Sequence, residues 1–246
     1  MLNKKNIEDA VIKIYHKIDH TNIITLNNFS NEKELWYELV FSILSSRVKY
    51  ELASASYKNL KRSKILDEPQ NIISSNCTTT AIESILKNPV SFTYNNNKYL
   101  SSFPFPRQRS EYIFRTAQNI YNDSTILEII SSSPDIKEIR EKLVNICVGL
   151  GPKQISMCLN NFTVSNNLAV LDTHILSYLK LLHIIKMDII SVGSLRIYES
   201  IEEKFVTYAN HLSANLRKLD LSIWIVMRTI KRNFVNEYRN LSLRWS

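Results

Sequence analysis

The alternation of apolar and polar positions is helical along most of the chain. Over residues 32–50, Leu35, Trp36, Leu39, Val40, Ile43, Leu44 and Val48 recur at helical spacing on one face, which predicts a single amphipathic helix. Ser30 or Asn31 can cap its start, and Glu32 and Glu34 suit its positive first turn. SSSPDIKEIREKLVNICV predicts another helix, with Ser133 as N-cap and Pro134 at the first position. Ile155, Cys158, Leu159 and Phe162 form a shorter stripe. Leu216, Leu219, Ile223, Val226, Met227, Ile230 and Phe234 form a long one over 214–235. One segment breaks the period: SFTYNNNKYL, 91–100, sets Phe92 and Tyr94 in alternation before an asparagine turn and predicts a small β-hairpin. SSFPFPRQR follows with two of the chain's six prolines and predicts a loop. The expected fold is all-α, in one or two lobes, with that hairpin as an insertion.

Composition narrows the partners. A chain of 246 residues, 44% of them hydrophobic, can bury a core of its own. Its net charge of +8 favours a polyanion, most often nucleic acid, over the plainer reading of a merely basic protein. Three scattered cysteines, Cys77, Cys147 and Cys158, form no C-x-x-C pair, so neither zinc nor an iron–sulfur cluster is suggested. The first residues have no uninterrupted apolar core, and no apolar run approaches the roughly 18 residues of a membrane span. A cytoplasmic, nucleoid-associated protein is expected.

Two of the three glycines, Gly149 and Gly151, flank Leu150 in VGLGPKQISMCLNN. Glycine admits positive φ and close backbone approach. A helix ending in Gly-Leu-Gly and restarting at Pro152 describes two helices joined by a tight turn, with Val148 and Leu150 plugged into the core. Such a turn presents free N–H groups at a helix start, an anion site without base specificity. A plain helix–turn–helix packing element is the other reading. Lys153 lies just inside the second helix. LAVLDTHIL places Asp172 19 residues further on, at the start of a helix beginning near Thr173.

With V-G-L-G-P-K at 148–153 and L-D-T-H at 171–174, the sequence resembles the helix–hairpin–helix–GPD superfamily of base-excision DNA glycosylases. ELWYELVFSILSS (34–46), FPFPRQRSEYI (103–113) and KLDLSIW (218–224) resemble its archaeal-type 8-oxoguanine DNA glycosylase/AP lyases. The likeness covers roughly residues 30–230. It implies one helix–hairpin–helix glycosylase unit over 1–246, with two helical lobes, the active site in the cleft and the hairpin at 143–163. It implies a partner, double-stranded DNA carrying a flipped modified base, and a monomer without organic cofactor or catalytic metal. A monovalent cation at the hairpin is compatible with it.

By the same resemblance Lys153 is the nucleophile and Asp172 the essential carboxylate. Lysine attack at C1′ displaces the base and leaves a Schiff base, after which proton loss at C2′ nicks the strand. Taken singly, Lys153 could simply contact phosphate and Asp172 could be only an N-cap. Gly149, Leu150, Gly151 and Lys153 would meet the DNA backbone. Base chemistry requires a flipped nucleotide and stacking walls. Asp220 and Trp224, i and i+4 on one helix, match the positions that contact and stack on the base, and Phe105 matches the opposite wall. Core packing is the plainer role for Trp224. Arg107, Arg109, Arg228 and Arg232 are candidate phosphate contacts, as is the group Lys58, Lys61, Arg62 and Lys64.

Three departures bear on substrate. The family carries proline where Leu219 stands, and its chain ends near Asn233 in a lysine whose terminal carboxylate helps recognise 8-oxoguanine. This chain continues through VNEYRNLSLRWS. TYNNNKYL is an apparent insertion. The expected reaction is therefore glycosylase and β-elimination lyase chemistry on 8-oxoguanine or a related oxidised base. A different base, such as hypermodified cytosine in phage DNA, or a non-catalytic DNA-binding module are the competing readings.

Overall fold

The computed structural model describes residues 4–18, 31–74, 77–162, 168–188 and 192–242; of Cys77 and of 231–242 it describes the backbone alone. These residues form twelve helices and one two-stranded sheet, in agreement with the all-α expectation. The chain divides into two compact units, one spanning Asn28–Thr163 and one joining Met1–Asn27 to Val164–Ser246.

The first unit is built on α2 (Glu32–Ser45), whose Leu39, Val40, Ile43 and Leu44 are fully buried. Each such aliphatic contributes about 1.5–3 kcal/mol on leaving water. Asn31 caps α2, accepting from the Glu34 amide at 3.0 Å; Ser30 lies outside the described residues. The helix expected over 32–50 is broken. It stops at Ser45, Arg47 takes a left-handed φ of 60°, and α3 (Tyr50–Arg62) restarts in a new direction. Four short helices of this unit complete the frame around α2: α4 (Pro69–Ser74), α5 (Cys77–Lys87), α7 (Ile126–Ser131) and α8 (Ile136–Ile146). The longer α6 (Pro106–Tyr121) and α9 (Pro152–Phe162) also belong here, and α3, α6, α7 and α9 all pack on α2. Glu32 ties this frame together: its carboxylate accepts from Tyr121 Oη at 2.7 Å and from the Ile126 and Leu127 amides at the start of α7.

Helix α8 corrects one expectation. Its N-cap is Asp135, which accepts from the Lys137 amide at 2.8 Å, not Ser133. Ser133 Oγ instead accepts from the Asp135 amide and donates to Glu138, so the serine braces the turn before the cap. A carboxylate at the positive helix end outcompetes a hydroxyl two residues earlier.

The expected hairpin is present. Strands β1 (Val90–Tyr94) and β2 (Asn97–Ser101) pair antiparallel, with Phe92 opposite Tyr99. Asn95 and Asn96 have φ of 48° and 64°, as a two-residue type I′ turn requires. Asparagine tolerates that region because its short amide bonds locally.

The second unit gathers α1 (Lys4–Lys17), α10 (Thr173–Leu181) and α11 (Leu195–His211) around α12 (Leu216–Ser242). Its core holds Val11, Ile175, Tyr178, Tyr198, Phe205, Leu219 and Ile223. The residue that departs from the family proline, Leu219, is thus a core residue, 1% exposed.

The turn geometry gives a test. Asn96→Gly should leave Tm unchanged or raise it slightly. Asn96→Val should lower it by about 2–8 °C, since a β-branched residue at positive φ costs about 1–2 kcal/mol.

Candidate active site

The hairpin that sequence placed at 143–163 is α8, a turn at Cys147–Gly151, and α9. Gly149 has φ +79°, and a Cβ there would overlap the Tyr112 ring of α6. The backbone therefore lies directly against an aromatic ring, and glycine is required twice over. Leu150 is buried, as expected, while Val148 is half-buried and donates its amide to Thr116 Oγ1 at 2.9 Å. Gly151 is different. Its φ is ordinary and a Cβ would meet only Gln154 Oε1, at 3.5 Å, so the fold makes no comparable demand for glycine there. The Gly151 amide points to that same oxygen at 3.3 Å. Lys153 stands half-buried in the first turn of α9.

A cleft of about 1270 Å³ opens beside this turn. Gly149, Gly151 and Gln154 form one side, and Phe105, Arg107, Arg109 and Tyr112 another. Arg47 and Arg115 add two more cations. The acids in its walls, Glu83 and Glu111, are each paired, with Lys87 and Arg115. Phe105 begins α6 and is 44% exposed, available as a wall. Arg107 is exposed. Arg109, a candidate phosphate contact, is only 5% exposed. It donates from Nη2 to the Ser46 carbonyl at 2.8 Å, and its guanidinium lies 5.8 Å from the Phe105 ring and 5.4 Å from Tyr112. Burial pulls its pKa below the usual guanidinium value. Its Nε is buried without a partner among the described residues. Gln154 Nε2 meets Ser46 Oγ at 3.3 Å. The cleft walls are thereby joined in a circuit running Gly149, Tyr112, Arg109, Ser46, Gln154, Gly151.

Asp172 belongs to the second unit. It is the N-cap of α10, accepting from the His174 and Ile175 amides at 2.8 and 2.9 Å. Both bonds fall on Oδ1, so Oδ2 takes no part in the cap. The short extended segment leading to it is held by side chains. Glu202 accepts the Ala169 amide at 2.9 Å. Tyr198 Oη donates to the Ala169 carbonyl at 2.6 Å and accepts from the Leu171 amide at 3.1 Å. Asp220 Oδ2 accepts the Val170 amide at 3.0 Å. An extended segment has no helical partners of its own, and buried amides must be paired. These three residues supply that pairing.

A family model described as 8-oxoguanine DNA glycosylase of the helix–hairpin–helix type matches residues 79–214. The chain belongs to this family. It is 24% identical over 231 residues to the 8-oxoguanine DNA glycosylase/AP lyase of Fusobacterium nucleatum, covering 91% of this chain and 96% of that one. The crystal structure of Methanocaldococcus jannaschii 8-oxoguanine DNA glycosylase superposes with a TM-score of 0.64 at 26% identity, over 87% of this chain and 91% of that one. The same organism's 8-oxoguanine glycosylase/lyase in complex with a 15mer DNA containing 8-oxoguanine gives a TM-score of 0.60 at 24% identity, with 88% of each chain covered.

As a DNA glycosylase of this family, the protein keeps two sets of predicted residues on two units. Phe105, Arg107, Arg109, Gly149, Leu150, Gly151 and Lys153 lie on the first; Asp172, Asp220, Trp224 and Arg228 lie on the second. Trp224 is half-buried, with the His174 ring edge-on at 6.3 Å and the exposed Arg228 guanidinium 4.7 Å from its centre. Arg228, expected at phosphate, is thus also a cover for the tryptophan face. The Arg232 side chain lies outside the described residues. Sequence reasoning missed Arg47, Arg115, Gln154, Tyr198 and Glu202. Only the last two left a trace, as polar residues one turn apart on the apolar face of α11. Cys147 and Cys158 are fully enclosed, with burial pushing the Cys147 thiol up to about 12, so neither is a nucleophile. No group of acids, histidines and cysteines among the described residues could hold a metal.

Two outcomes follow from this geometry. Gly149→Ala should cost about 2 kcal/mol, a Tm loss of about 4–8 °C, while Gly151→Ala should leave Tm within about 2 °C and weaken DNA binding instead. Tyr198→Phe strands two buried backbone groups, worth about 1–3 kcal/mol. It should slow single-turnover excision about tenfold while leaving the DNA Kd nearly unchanged, as measured by filter binding and quenched-flow.

Proposed function

We propose that this glycosylase excises 8-oxoguanine from duplex DNA and then nicks the strand, by a Schiff base on Lys153 with Asp172 as the essential carboxylate. The observation that carries the reading is the Asp172 cap. The carboxylate is fixed at a helix start through Oδ1 alone, at the end of a segment whose Ala169, Val170 and Leu171 amides are each tied by a side chain. A structural cap needs no such rigid delivery, whereas a group acting on a developing charge does.

The steps assign each residue a task. The flipped nucleotide stacks on Phe105 and Trp224 and is contacted by Asp220. Arg107, Arg109 and the Gly149–Gly151 turn take the phosphates. The neutral Lys153 amine forms a bond to C1′ as the C1′–N bond breaks, and the electron pair leaves with the base. The ionised Asp172 stabilises the oxocarbenium-like charge at C1′. The nitrogen lone pair then opens the sugar to an iminium. Loss of the C2′ proton expels the 3′ phosphate, and the departing base can carry these protons. No organic cofactor enters these steps. A monovalent cation at the hairpin would add to the grip on phosphate and not to the chemistry. A monomer acting in the cytoplasm on the nucleoid fits this reading. No helix among the described residues is long and apolar enough to cross a membrane.

One observation favours a second reading of the substrate. Helix α12 runs unbroken from Leu216 to Ser242, so Asn233 is internal and offers no terminal carboxylate. The same chemistry on another modified base, such as hypermodified cytosine, is the reading this supports.

Substitutions that keep the fold separate the roles. Asn caps a helix as well as Asp, so Asp172→Asn should hold Tm while lowering excision of 8-oxoguanine about 100-fold or more. Lys153→Gln should abolish strand scission. Gel assays on duplexes with 8-oxoguanine or hydroxymethylcytosine read both, and scission of only the latter would move the substrate to the second reading.

A further inference from the structure

The hairpin insertion and the basic run after α2 are not used by the reaction. Residues 46–64 carry Arg47, Lys49, Lys58, Lys61, Arg62 and Lys64 against the single acid Glu51, a net +5 within a chain of net +8. Much of the protein's excess charge is therefore concentrated on α3 and its approach. A second groove of about 550 Å³ lies between α3 and β1, lined by Tyr50, Lys58, Arg62, Phe92 and Thr93 among others. Lys58 and Arg62 are exposed and stand one helical turn apart on its rim. Tyr50 is 65% exposed at its mouth. The hairpin wall is firm: Phe92 stacks on Tyr99 at 5.6 Å, and Lys49 Nζ sits 4.6 Å over Tyr94. That last contact fixes the Asn95–Asn96 tip close to the start of α3.

The groove neighbours the first cleft. Arg47 lines one and Tyr50 the other, and three residues span at most about 10 Å. That distance is about three base pairs of duplex. A duplex whose phosphates meet the first cleft carries further phosphates within reach of the second. Cations flanked by an exposed tyrosine and by asparagine amides suit a phosphate–sugar backbone.

We propose that the α3–β1 groove, with Lys49, Lys58, Arg62 and the hairpin tip, is a second DNA-backbone site that grips undamaged duplex beside the lesion. This rests on the reading that the chain acts on duplex DNA. The site extends the footprint and does not touch the reacting nucleotide. It sets affinity and its salt dependence while leaving the chemical step alone.

The test is a triple variant, Lys49→Ala, Lys58→Ala and Arg62→Ala, with a Lys58→Glu, Arg62→Glu pair beside it because Lys49 also braces Tyr94. Affinity for 8-oxoguanine duplexes is measured across salt concentrations, with long flanks and with either flank trimmed to a few base pairs. The triple variant should lower the slope of log K against log salt by about 2–3 units. Trimming one flank, and only one, should make wild type and variants alike, and excision at saturating enzyme should match wild type. An unchanged slope in both variants, with wild type still binding and excising, overturns the groove and leaves the glycosylase reading intact. Failure of wild type to bind or excise overturns both. Vesicles of anionic phospholipid form a further arm: binding to them that the variants lose, with DNA slopes unchanged, would make the groove a membrane contact instead.

Discussion

The Gly149 backbone packs directly against the Tyr112 ring, with no room for a side chain between them. That contact fixes the angle at which α9 leaves the turn, and so where Lys153 stands. Tyr112 in turn underlies Arg109, whose guanidinium holds the Ser46 carbonyl at the break between α2 and α3. Gln154 closes the circuit from Ser46 back to Gly151. A glycine turn, the first turns of α6 and a helix break, far apart in sequence, are thus set as one cleft wall. Rigidity matters because a misplaced catalytic group loses much of the advantage of holding reactants together.

The second unit solves a different problem with the same economy. A carboxylate must be presented on a short extended connection, where backbone groups lack partners. Tyr198, Glu202 and Asp220 supply those partners, and the helix start supplies the rest. Asp220 therefore has a structural engagement as well as the base contact proposed for it. The cap uses one carboxylate oxygen, Oδ1, and Oδ2 takes no part in it.

Local signals were legible in the sequence and distant ones were not. Gly149 before Pro152, Asp172 before Thr173 and the asparagine turn at 95–96 each declare themselves through the conformations their residue types prefer. The break at Ser46–Lys49 does not, because an arginine adopts the left-handed conformation there without glycine, asparagine or proline to announce it. Its stability comes from Arg109, 63 residues away. Arg109 was read only as a candidate phosphate contact, because an arginine between aromatic rings is a tertiary event. Ser133 preceded Asp135 as a cap candidate because both are good caps, and only the chain path chooses between them. Family likeness added what local pattern could not, the roles proposed for Lys153 and Asp172.

The central claim is that Lys153 attacks the sugar. Borohydride reduction of the protein mixed with 8-oxoguanine duplex, followed by proteolysis and mass spectrometry of the adduct, tests it at the level of one atom. The account predicts a covalent product carried by Lys153 Nζ, absent in Lys153→Gln and in unreduced samples. A trapped adduct on any other residue, or scission of the strand that leaves nothing to trap, would contradict it.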